Sequence, residues 1–367
     1  MSKLNKFRAK LTERGFDSAL ISSKANQIYL SNFNFDDGFV LVTAKKAYVM
    51  TDSRYEEVAH KTLDGNPDFE IVLPKKRMFA EIADIIKNDG CSRVAFEESD
   101  LTVELYGRFS QTLKSELGED SIDVKESGVC SAILVELRIT KDEGEIELIK
   151  KAQAITDAAF AHVLGVLSTD MTEIDVALEL ENFMRKSGAD GLAFDTIAVN
   201  AENSSLPHGV PSTAKLKNGF LTMDFGARYK GYCSDMTRTV CLGKADADMK
   251  KLYNTVLEAQ KMAIEAAEFG KLCKDIDAVA RNHIYSNGYE GCFGHGLGHG
   301  VGLYIHEAPR LSTGAGEETL KVGHVVTVEP GIYLPGKYGC RIEDMIVCMP
   351  DKSIADITNS PKELIEI

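Results

Sequence analysis

The chain has 367 residues, of which 44% are hydrophobic and 27% are charged, and its formal net charge at pH 7 is −14. This length and composition are typical of a globular protein with two or three domains. The acidic balance argues against nucleic acid and anionic membrane as partners, because both require clustered Lys and Arg. No apolar run approaches the roughly 20 residues that a membrane-spanning helix needs.

Cysteine usage and the N-terminal segment bear on the compartment. The eight cysteines are scattered, with no Cys-x-x-Cys pair and no zinc-finger spacing. The N-terminal segment carries charges throughout and lacks the apolar stretch of a signal peptide. Together these features predict reduced thiols and a cytoplasmic location.

Short apolar runs alternate with amphipathic segments in the N-terminal third, which predicts an α/β domain around a buried sheet. The predicted strands are Ser18–Ser22, Gly38–Val42, Ala47–Met50, Ile71–Leu73 and Arg93–Phe96. The predicted helices are Lys3–Glu13, Ser53–Lys61, Met78–Asn88 and Val103–Glu116. We find neither a phosphate-binding glycine loop nor a cluster of metal-ligand residues here. Residues 1–128 are therefore interpreted as a supporting domain.

A second domain, residues 135–367, is predicted to begin just before a long helix. Acidic residues follow Asp142, where the start of a helix favours them, and an apolar stripe at helical spacing comes next. Further helices are predicted at Glu173–Lys186, Asp248–Glu268 and Lys274–Asn287. The predicted strands are Thr196–Val199, Phe220–Phe225, Asp235–Cys241, His324–Val328 and Cys340–Met349. The whole pattern predicts an α+β fold, with helices over an antiparallel-rich sheet in this domain.

Two aspartates stand out in LTMDFGARYKGYCSDMTRTV, where two strand-like runs flank a turn that we centre on Tyr229 and Lys230. In that register Asp224 and Asp235 face each other, with Cβ atoms about 4.5–5.5 Å apart. Like charges in facing positions destabilise a sheet, so a bound cation is the simplest compensation. The alternative is that one Asp caps a turn and the other is solvated.

A second acidic pair lies in HVVTVEPGIYLPGKYGCRIEDMIV. Reflection about Gly336 places Glu329 opposite Glu343, each in an otherwise apolar run. Buried carboxylates without partners are costly or become protonated. An ion pair with Arg341 could satisfy one of these glutamates but hardly both.

Three histidines lie close together in GHGLGHGVGLYIHEAPR, between the two acidic pairs. Five glycines surround His295 and His299, which suits a backbone that approaches a ligand closely. His306 follows shortly after. A lone histidine is more often a core residue than a ligand, but three in such a segment are less easily explained that way.

Four carboxylates and one imidazole form an oxygen-rich ligand set. It suits manganese, cobalt, iron or zinc, and manganese is our first choice. One divalent ion would leave net negative charge in a partly buried cleft, whereas two would neutralise the four carboxylates. We therefore predict two divalent ions, about 3.5–4 Å apart and bridged by a hydroxide.

Taken together, these segments resemble the pita-bread metallopeptidases, the family of Xaa-Pro aminopeptidase, prolidase and methionine aminopeptidase. The matching stretches are NSSLPHG, LTMDFGARYKGYCSDMTRTV, GHGLGHGVGLYIHEAPR, VVTVEPGIY and RIED. The resemblance implies a C-terminal pita-bread catalytic domain with a curved antiparallel-rich sheet covered by helices. The metal ligands that it implies are Asp224, Asp235, His299, Glu329 and Glu343.

The same resemblance implies roles for further residues. Glu329 would also handle the protons of the bridging water. His208 and His306 would be catalytic groups that flank the scissile bond without binding metal. The positions similar to substrate-contacting residues of the proline-specific branch are His295, Arg310 and Arg341.

The N-terminal half is similar to the creatinase-type domain of proline peptidases through TDSRYEEVA, FEES and the LRITKDEGEIELIKKA linker. Methionine aminopeptidases generally lack such a domain, so the resemblance favours Xaa-Pro bonds. Creatinase shares the two-domain layout but not the five metal ligands. One departure is NFNFDDG (residues 32–38), where the family usually shows a GFTGS-like stretch, and it leaves the preferred substrate length open.

We therefore expect an aminopeptidase P, a dinuclear-metal enzyme that hydrolyses Xaa-Pro bonds at the N-terminus of short proline-containing peptides. The alternative is an Xaa-Pro dipeptidase, or prolidase. More remote alternatives are an aminopeptidase of other specificity and a non-catalytic binding module, and the complete ligand set disfavours the latter. We expect a homodimer, because relatives are commonly dimers.

Overall fold

The structure, a computed structural model, describes residues 1–119, 123–124 and 128–367. The chain divides into two compact units, Met1–Arg138 and Ile139–Ile367. The domain limits 1–128 and 135–367 stay a prediction, and residues 120–122 and 125–127 of the first domain lie outside the described residues. Within the described ranges, no helix has the length and apolar character needed to span a membrane.

The first unit is built on one mixed sheet of six strands, in the order β4-β3-β2-β1-β5-β6. Its strands are β1 (Ser18–Ile21), β2 (Phe39–Thr43), β3 (Ala47–Met50), β4 (Phe69–Val72), β5 (Arg93–Phe96) and β6 (Asp123–Val124). Its helices are α1 (Lys3–Glu13), α2 (Lys24–Ser31), α3 (Glu56–Leu63), α4 (Met78–Asp89), α5 (Val103–Leu117) and α6 (Val129–Arg138). The central strands β1 and β2 read as continuous apolar runs because nearly all of their side chains are buried.

The predicted α/β character of this unit is confirmed, but three of its elements were not predicted, namely α2, β6 and α6. The bounds of α1, β3 and β5 are as predicted. The short helix α2 escaped prediction because most of its residues, polar ones included, are buried and give no amphipathic stripe. The two-residue strand β6 was also missed, being too short to give a periodic signal.

The second unit combines four helices with antiparallel strands, as predicted. The helices are α7 (Glu143–Leu164), α8 (Glu173–Lys186), α9 (Ala247–Ala266) and α10 (Cys273–Ile284). The start of α7 is fixed by a capping box, in which Asp142 and Glu145 each accept the other's backbone N–H. The strands are β7 (Gly191–Leu192), β8 (Ile197–Asn200), β9 (Gly219–Phe225), β10 (Ala227–Tyr229), β11 (Tyr232–Cys233), β12 (Met236–Leu242), β13 (Gly298–Gly300), β14 (Glu307–Leu311), β15 (Val325–Val328), β16 (Gly331–Leu334), β17 (Tyr338–Arg341), β18 (Asp344–Cys348) and β19 (Ile354–Asp356). One apolar core packs α7 and α8 on β8, β9 and β12, and a second packs α9 and α10 on the strands from β14 to β18.

The hairpin that carries the two aspartates turns one residue later than predicted. Lys230 and Gly231 form the loop, with φ of 48° and 85°, as a two-residue type I′ turn requires. On the ladder of β9 and β12, Asp224 consequently pairs with Thr237. The predicted pairing of Asp224 with Asp235 is wrong, because Asp235 lies in the break that precedes β12.

The register predicted for the second acidic pair is confirmed in the ladders on either side of it. Val328 pairs with Asp344 in β15 and β18, and Gly331 pairs with Arg341 in β16 and β17. In each pair the two residues lie at equal distances along the chain from Gly336, as Glu329 and Glu343 do.

The prediction of one strand over Cys340–Met349 is wrong, because β17 and β18 are separate strands. Glu343 lies between them, and Glu329 lies in the matching gap between β15 and β16. Pro330 has no N–H to donate to a ladder, which explains why the pairing is interrupted at this level. Both glutamates are thereby released from regular strand pairing.

Candidate metal centre

The five predicted ligands lie in or next to strands that converge on one cavity of about 560 Å³. Their side chains, together with those of the other predicted site residues, line this cavity. The ligand positions are Asp224 in β9, Asp235 before β12, His299 in β13, Glu329 after β15 and Glu343 between β17 and β18. The structure therefore brings together residues that are far apart in the sequence.

Close backbone packing places His299. A Cβ atom on Gly298 would lie 1.9 Å from the Thr327 carbonyl oxygen, and one on Gly300 would lie 2.1 Å from the Ala308 carbonyl oxygen. Only glycine fits at these two positions, because β13 lies between β14 and β15 in the sheet. The alternation Gly-His-Gly thus presents one imidazole from a strand that has no other side chain.

The tautomer of His299 leaves one nitrogen for a metal. Its Nδ1 lies 3.0 Å from the Gly300 carbonyl oxygen, which can only accept, so Nδ1 carries the proton. Nε2 points to the carboxylates, 3.5 Å from Asp235 Oδ2 and 3.4 Å from Glu329 Oε1. Burial lowers the pKa of His299 to about 3, so the ring is neutral and able to bind a metal.

The carboxylates lie so close together that ionising all of them is unfavourable without a cation. Ligand atoms of Asp235, His299 and Glu343 all lie within 4.8 Å of one another. Burial raises the pKa of Asp235 and of Glu343 well above the usual range, and neighbouring carboxylates add to both shifts. Burial also raises the pKa of Glu329 to about 8. A divalent cation would reverse these shifts by stabilising the ionised forms.

Arg341 pairs with an aspartate rather than with either glutamate. Its Nη2 donates to Asp224 Oδ2 at 2.6 Å. The alternative in which Arg341 satisfies a glutamate is therefore wrong. The other oxygen of Asp224, Oδ1, is buried and has no hydrogen-bond partner among the described residues. This buried carboxylate oxygen lines the same cavity as the neutral imidazole of His299, and both can bind a metal, so these residues fit divalent cations.

Two threonines that sequence reasoning missed orient the glutamates. Thr237 Oγ1 donates to Glu343 Oε2 at 2.7 Å, and Thr327 Oγ1 donates to Glu329 Oε1 at 3.2 Å. Each threonine hydroxyl fixes one carboxylate oxygen and leaves the other free to bind metal. Their positions within two residues of predicted ligands were the signal available in the sequence, for example in SDMTRT and VTVEP.

His295 and Arg341 line the cavity but are held by other protein groups. His295 Nδ1 lies 2.8 Å from the Gly296 carbonyl oxygen, so its Nε2 accepts from the Tyr333 hydroxyl at 3.0 Å. Arg341 donates to the same hydroxyl at 2.7 Å and to the Pro207 carbonyl at 3.2 Å. Tyr333 was not predicted as a site residue, yet it connects the two.

Three other predicted residues are exposed to the cavity. His208 follows Pro207 in a loop, and His306 lies with its ring centroid 4.4 Å from that of His299. Arg310 is the Cα partner of His299 across β13 and β14, so both side chains emerge on the same face. The Arg310 side chain forms no hydrogen bond or ion pair with any residue that the structure describes.

Part of the cavity wall was not foreseen from the sequence. The lining residues that sequence reasoning missed are Phe194, Asp195, Ile197, Pro207, Gly296, Gly298, Ile305 and Ser312. Phe194 and Ile197 provide an apolar side beside Asp224, because Ile197 is the Cα partner of Asp224 on β8 and β9. An apolar wall next to a polar centre suits a substrate with an apolar ring near its reactive bond.

Comparison with known proteins identifies both halves of the chain. The model of metallopeptidase family M24 matches residues 147–350, and the model of the creatinase/prolidase N-terminal domain matches residues 3–138. An Xaa-Pro dipeptidase of Pyrococcus furiosus is 35% identical, in an alignment that covers 100% of this chain and 99% of that protein.

Solved structures give the same result for the fold. An Xaa-Pro dipeptidase from Bacillus anthracis superposes with a TM-score of 0.90 at 40% identity, covering 100% of this chain and 99% of that one. An X-Pro aminopeptidase from Thermotoga maritima MSB8 superposes with a TM-score of 0.88 at 35% identity, covering 97% and 99%. Both specificities that the sequence left open thus occur among similar structures.

Proposed function

Because the chain belongs to metallopeptidase family M24, we propose that it is an Xaa-Pro dipeptidase that works with two bound divalent metal ions. Relatives named Xaa-Pro dipeptidase match its whole length, which supports the alternative from the sequence over the aminopeptidase P reading. The substrates that we propose are short proline-containing peptides, and above all Xaa-Pro dipeptides.

The guanidinium of Arg310, which has no partner among the described residues, is the observation that carries the proposal. In an Xaa-Pro dipeptide the terminal carboxylate lies only one residue from the scissile bond, so its binding group must lie close to the metal centre. Arg310 meets this requirement, since its partner across the strands is His299. Arg341 does not, because its guanidinium is already hydrogen-bonded to Asp224, Tyr333 and main-chain oxygen.

The metal ligands that we propose are Asp224, Asp235, His299, Glu329 and Glu343. Bound divalent ions would polarise the scissile carbonyl and lower the pKa of the attacking water. Arg341 offsets one of the four carboxylate charges, and the remaining three exceed what one divalent ion neutralises, which supports two ions. Oxygen-rich ligation favours manganese, with cobalt, zinc and iron as the alternatives.

The other side chains act on protons and on the peptide. Glu329, held at one oxygen by Thr327, is positioned to take up a proton from the attacking water. His208 and His306 face the cavity, where they would donate to the scissile carbonyl and the departing proline nitrogen. An Xaa-Pro bond has no N–H, so peptidases that bind the amide hydrogen of the scissile bond cannot cleave it. A site that donates its own hydrogen bonds to the carbonyl and the proline nitrogen does not need that hydrogen.

Replacing Arg310 by Gln tests the proposal. We expect the KM for Ala-Pro to rise about 10- to 100-fold, because a charge-assisted pair with the substrate carboxylate is lost. Hydrolysis of alanyl-proline amide, which has no carboxylate, should change by less than about 3-fold. Equal losses on both substrates would show that Arg310 does not read the carboxylate, and the dipeptidase assignment would fail.

The cellular setting is also a proposal. All eight cysteines are free, which supports a reducing compartment such as the cytoplasm. We propose a homodimer, which sedimentation equilibrium would show as twice the mass of one chain, and a monomer at micromolar concentration would refute it.

A further inference from the structure

A buried ion pair lies beside the cavity without lining it. Lys141, just before α7, donates from Nζ to Glu307 Oε2 at 2.9 Å, and the two side chains are 1% and 4% exposed. Glu307 begins β14 directly after His306. Buried ion pairs are often no more stabilising than apolar residues of similar size, so stability alone does not explain why this one is present.

Glu307 holds the bend that leads into His306. Its Oε1 accepts the backbone N–H of Tyr304 at 3.2 Å, so the carboxylate spans the turn before the histidine. Gly302 makes room for it, since a Cβ atom there would lie 2.6 Å from Glu307 Oε2. The carboxylate therefore occupies the inside of the bend from Gly302 to His306.

Lys141 supplies its charge from outside the bend and is itself held firmly. Its backbone N–H donates to the Gly323 carbonyl at 2.8 Å, next to the start of β15. A Cβ atom on Gly323 would lie 2.7 Å from the Lys141 carbonyl oxygen, so the two main chains are in close contact. The ion pair thus ties the bend to the strand layer that carries Glu329.

His306 depends on this support. Its ring faces the cavity and lies against His299, but it makes no hydrogen bond with any described residue. The direction of its side chain is therefore set by the backbone that precedes it. We propose that Lys141 and Glu307 are positioning residues that act through His306 and hold its imidazole toward the scissile bond. This inference rests on the proposed function of that histidine.

A double-mutant cycle on the manganese-loaded enzyme tests the inference, with Ala-Pro as substrate. Glu307→Ala should lower kcat about 30-fold, leave KM within about 3-fold and leave the bound manganese unchanged, because a misplaced catalytic group costs up to about 100-fold. In a His306→Ala background the same Glu307→Ala change should lower kcat by less than about 2-fold. A purely structural role would give the same loss in both backgrounds, and that result would overturn the proposal.

An uncharged replacement of the Lys141–Glu307 pair tests whether the shape of the pair or its charge holds the bend. Combining Lys141→Met with Glu307→Gln keeps the side-chain volumes and an oxygen for the Tyr304 N–H, without a lone buried charge. This variant should recover kcat to within about 5-fold of the native enzyme, and it replaces Glu307→Ala if that protein does not fold. A kcat as low as that of Glu307→Ala would contradict positioning through the bend. If His306→Ala alone leaves kcat unchanged, the proposed function of His306 fails instead.

Discussion

At the scale of single residues, Asp235 has little support for a negative charge from the described protein groups. It is 4% exposed, its nearest basic group is His299 Nε2 at 3.5 Å, and Glu343 and Asp224 raise its pKa further after burial. The protein has accordingly placed an ionisable group where only a cation makes ionisation favourable.

Asp235→Asn should therefore remove metal and activity together. The amide cannot act as an anionic ligand, so kcat/KM on Ala-Pro should fall at least about 1000-fold and the manganese content should drop below that of the native enzyme. The matched control is Asp195→Asn, which changes another cavity carboxylate that is not a proposed ligand and should retain the full metal content. Native activity in Asp235→Asn would remove the basis of the metal centre.

Removing the metal should also make stability depend on pH. The pKa of Glu329 is raised to about 8, so between pH 4.5 and 8 the folded metal-free protein keeps a proton that the unfolded chain has released. The stabilisation that this proton gives the folded protein is complete below the pKa of the glutamate in the unfolded chain. It is lost as the pH rises through the pKa of the same group in the folded protein. Asp235 and Glu343 shift in the same direction.

We therefore expect the Tm of the chelator-treated protein to fall between pH 6 and pH 8 by roughly 3 °C or more, relative to the manganese-loaded protein. Metal-bound carboxylates are ionised at both pH values, so the manganese-loaded protein is the reference in which this loss is absent. If Tm changes with pH in the same way in the two forms, protonation of these carboxylates is not linked to folding.

At the scale of elements, the close approach of β13 to its neighbours positions His299. Gly298→Ala places a methyl group 1.9 Å from the Thr327 carbonyl, so β13 and β15 must separate. We expect a loss of about 3 kcal/mol in the free energy of unfolding, with reduced metal binding. Gly294→Ala is the control, because nothing lies within 4 Å of its Cβ position, and it should change stability by less than about 0.5 kcal/mol. Urea unfolding measures the stability of both variants. Equal effects of the two substitutions would refute the packing argument.

The elements also show how far sequence reasoning reaches. Periodicity and caps predicted α7 and α8 well, because a capping box and an apolar stripe are local signals. The aspartate hairpin was predicted one residue too early, because the prediction centred the turn on Tyr229 and Lys230 without weighing which loop residues tolerate positive φ. Gly231 was the available indicator, since a type I′ turn needs a residue that tolerates positive φ.

Contacts between side chains far apart in the sequence could not be predicted from the sequence. The five ligands were predicted from the family resemblance, and the structure brings them to one cavity. The pairing of Arg341 with Asp224, the hydroxyl of Tyr333 between Arg341 and His295, and the hidden Lys141–Glu307 pair depend on the folded geometry. Their residue types are common, and only three-dimensional proximity gives them a role.

At the scale of the whole molecule, the two units differ in content. The proposed ligands and the residues that line the cavity belong to the unit Ile139–Ile367, which matches metallopeptidase family M24. The unit Met1–Arg138 matches the creatinase/prolidase N-terminal domain. The proposed catalytic residues thus belong to the second unit, and so does Arg310, to which we assign the proposed preference for dipeptides.

The most direct test compares kcat/KM for Ala-Pro and Ala-Pro-Ala with the manganese-loaded enzyme, before and after chelation. Arg310 beside His299 predicts that Ala-Pro is hydrolysed about 10- to 100-fold more efficiently than the tripeptide, and that chelation abolishes both reactions. Equal or faster cleavage of Ala-Pro-Ala would contradict the dipeptidase assignment and restore the aminopeptidase P reading. Undiminished hydrolysis after complete metal removal would contradict the metal centre itself.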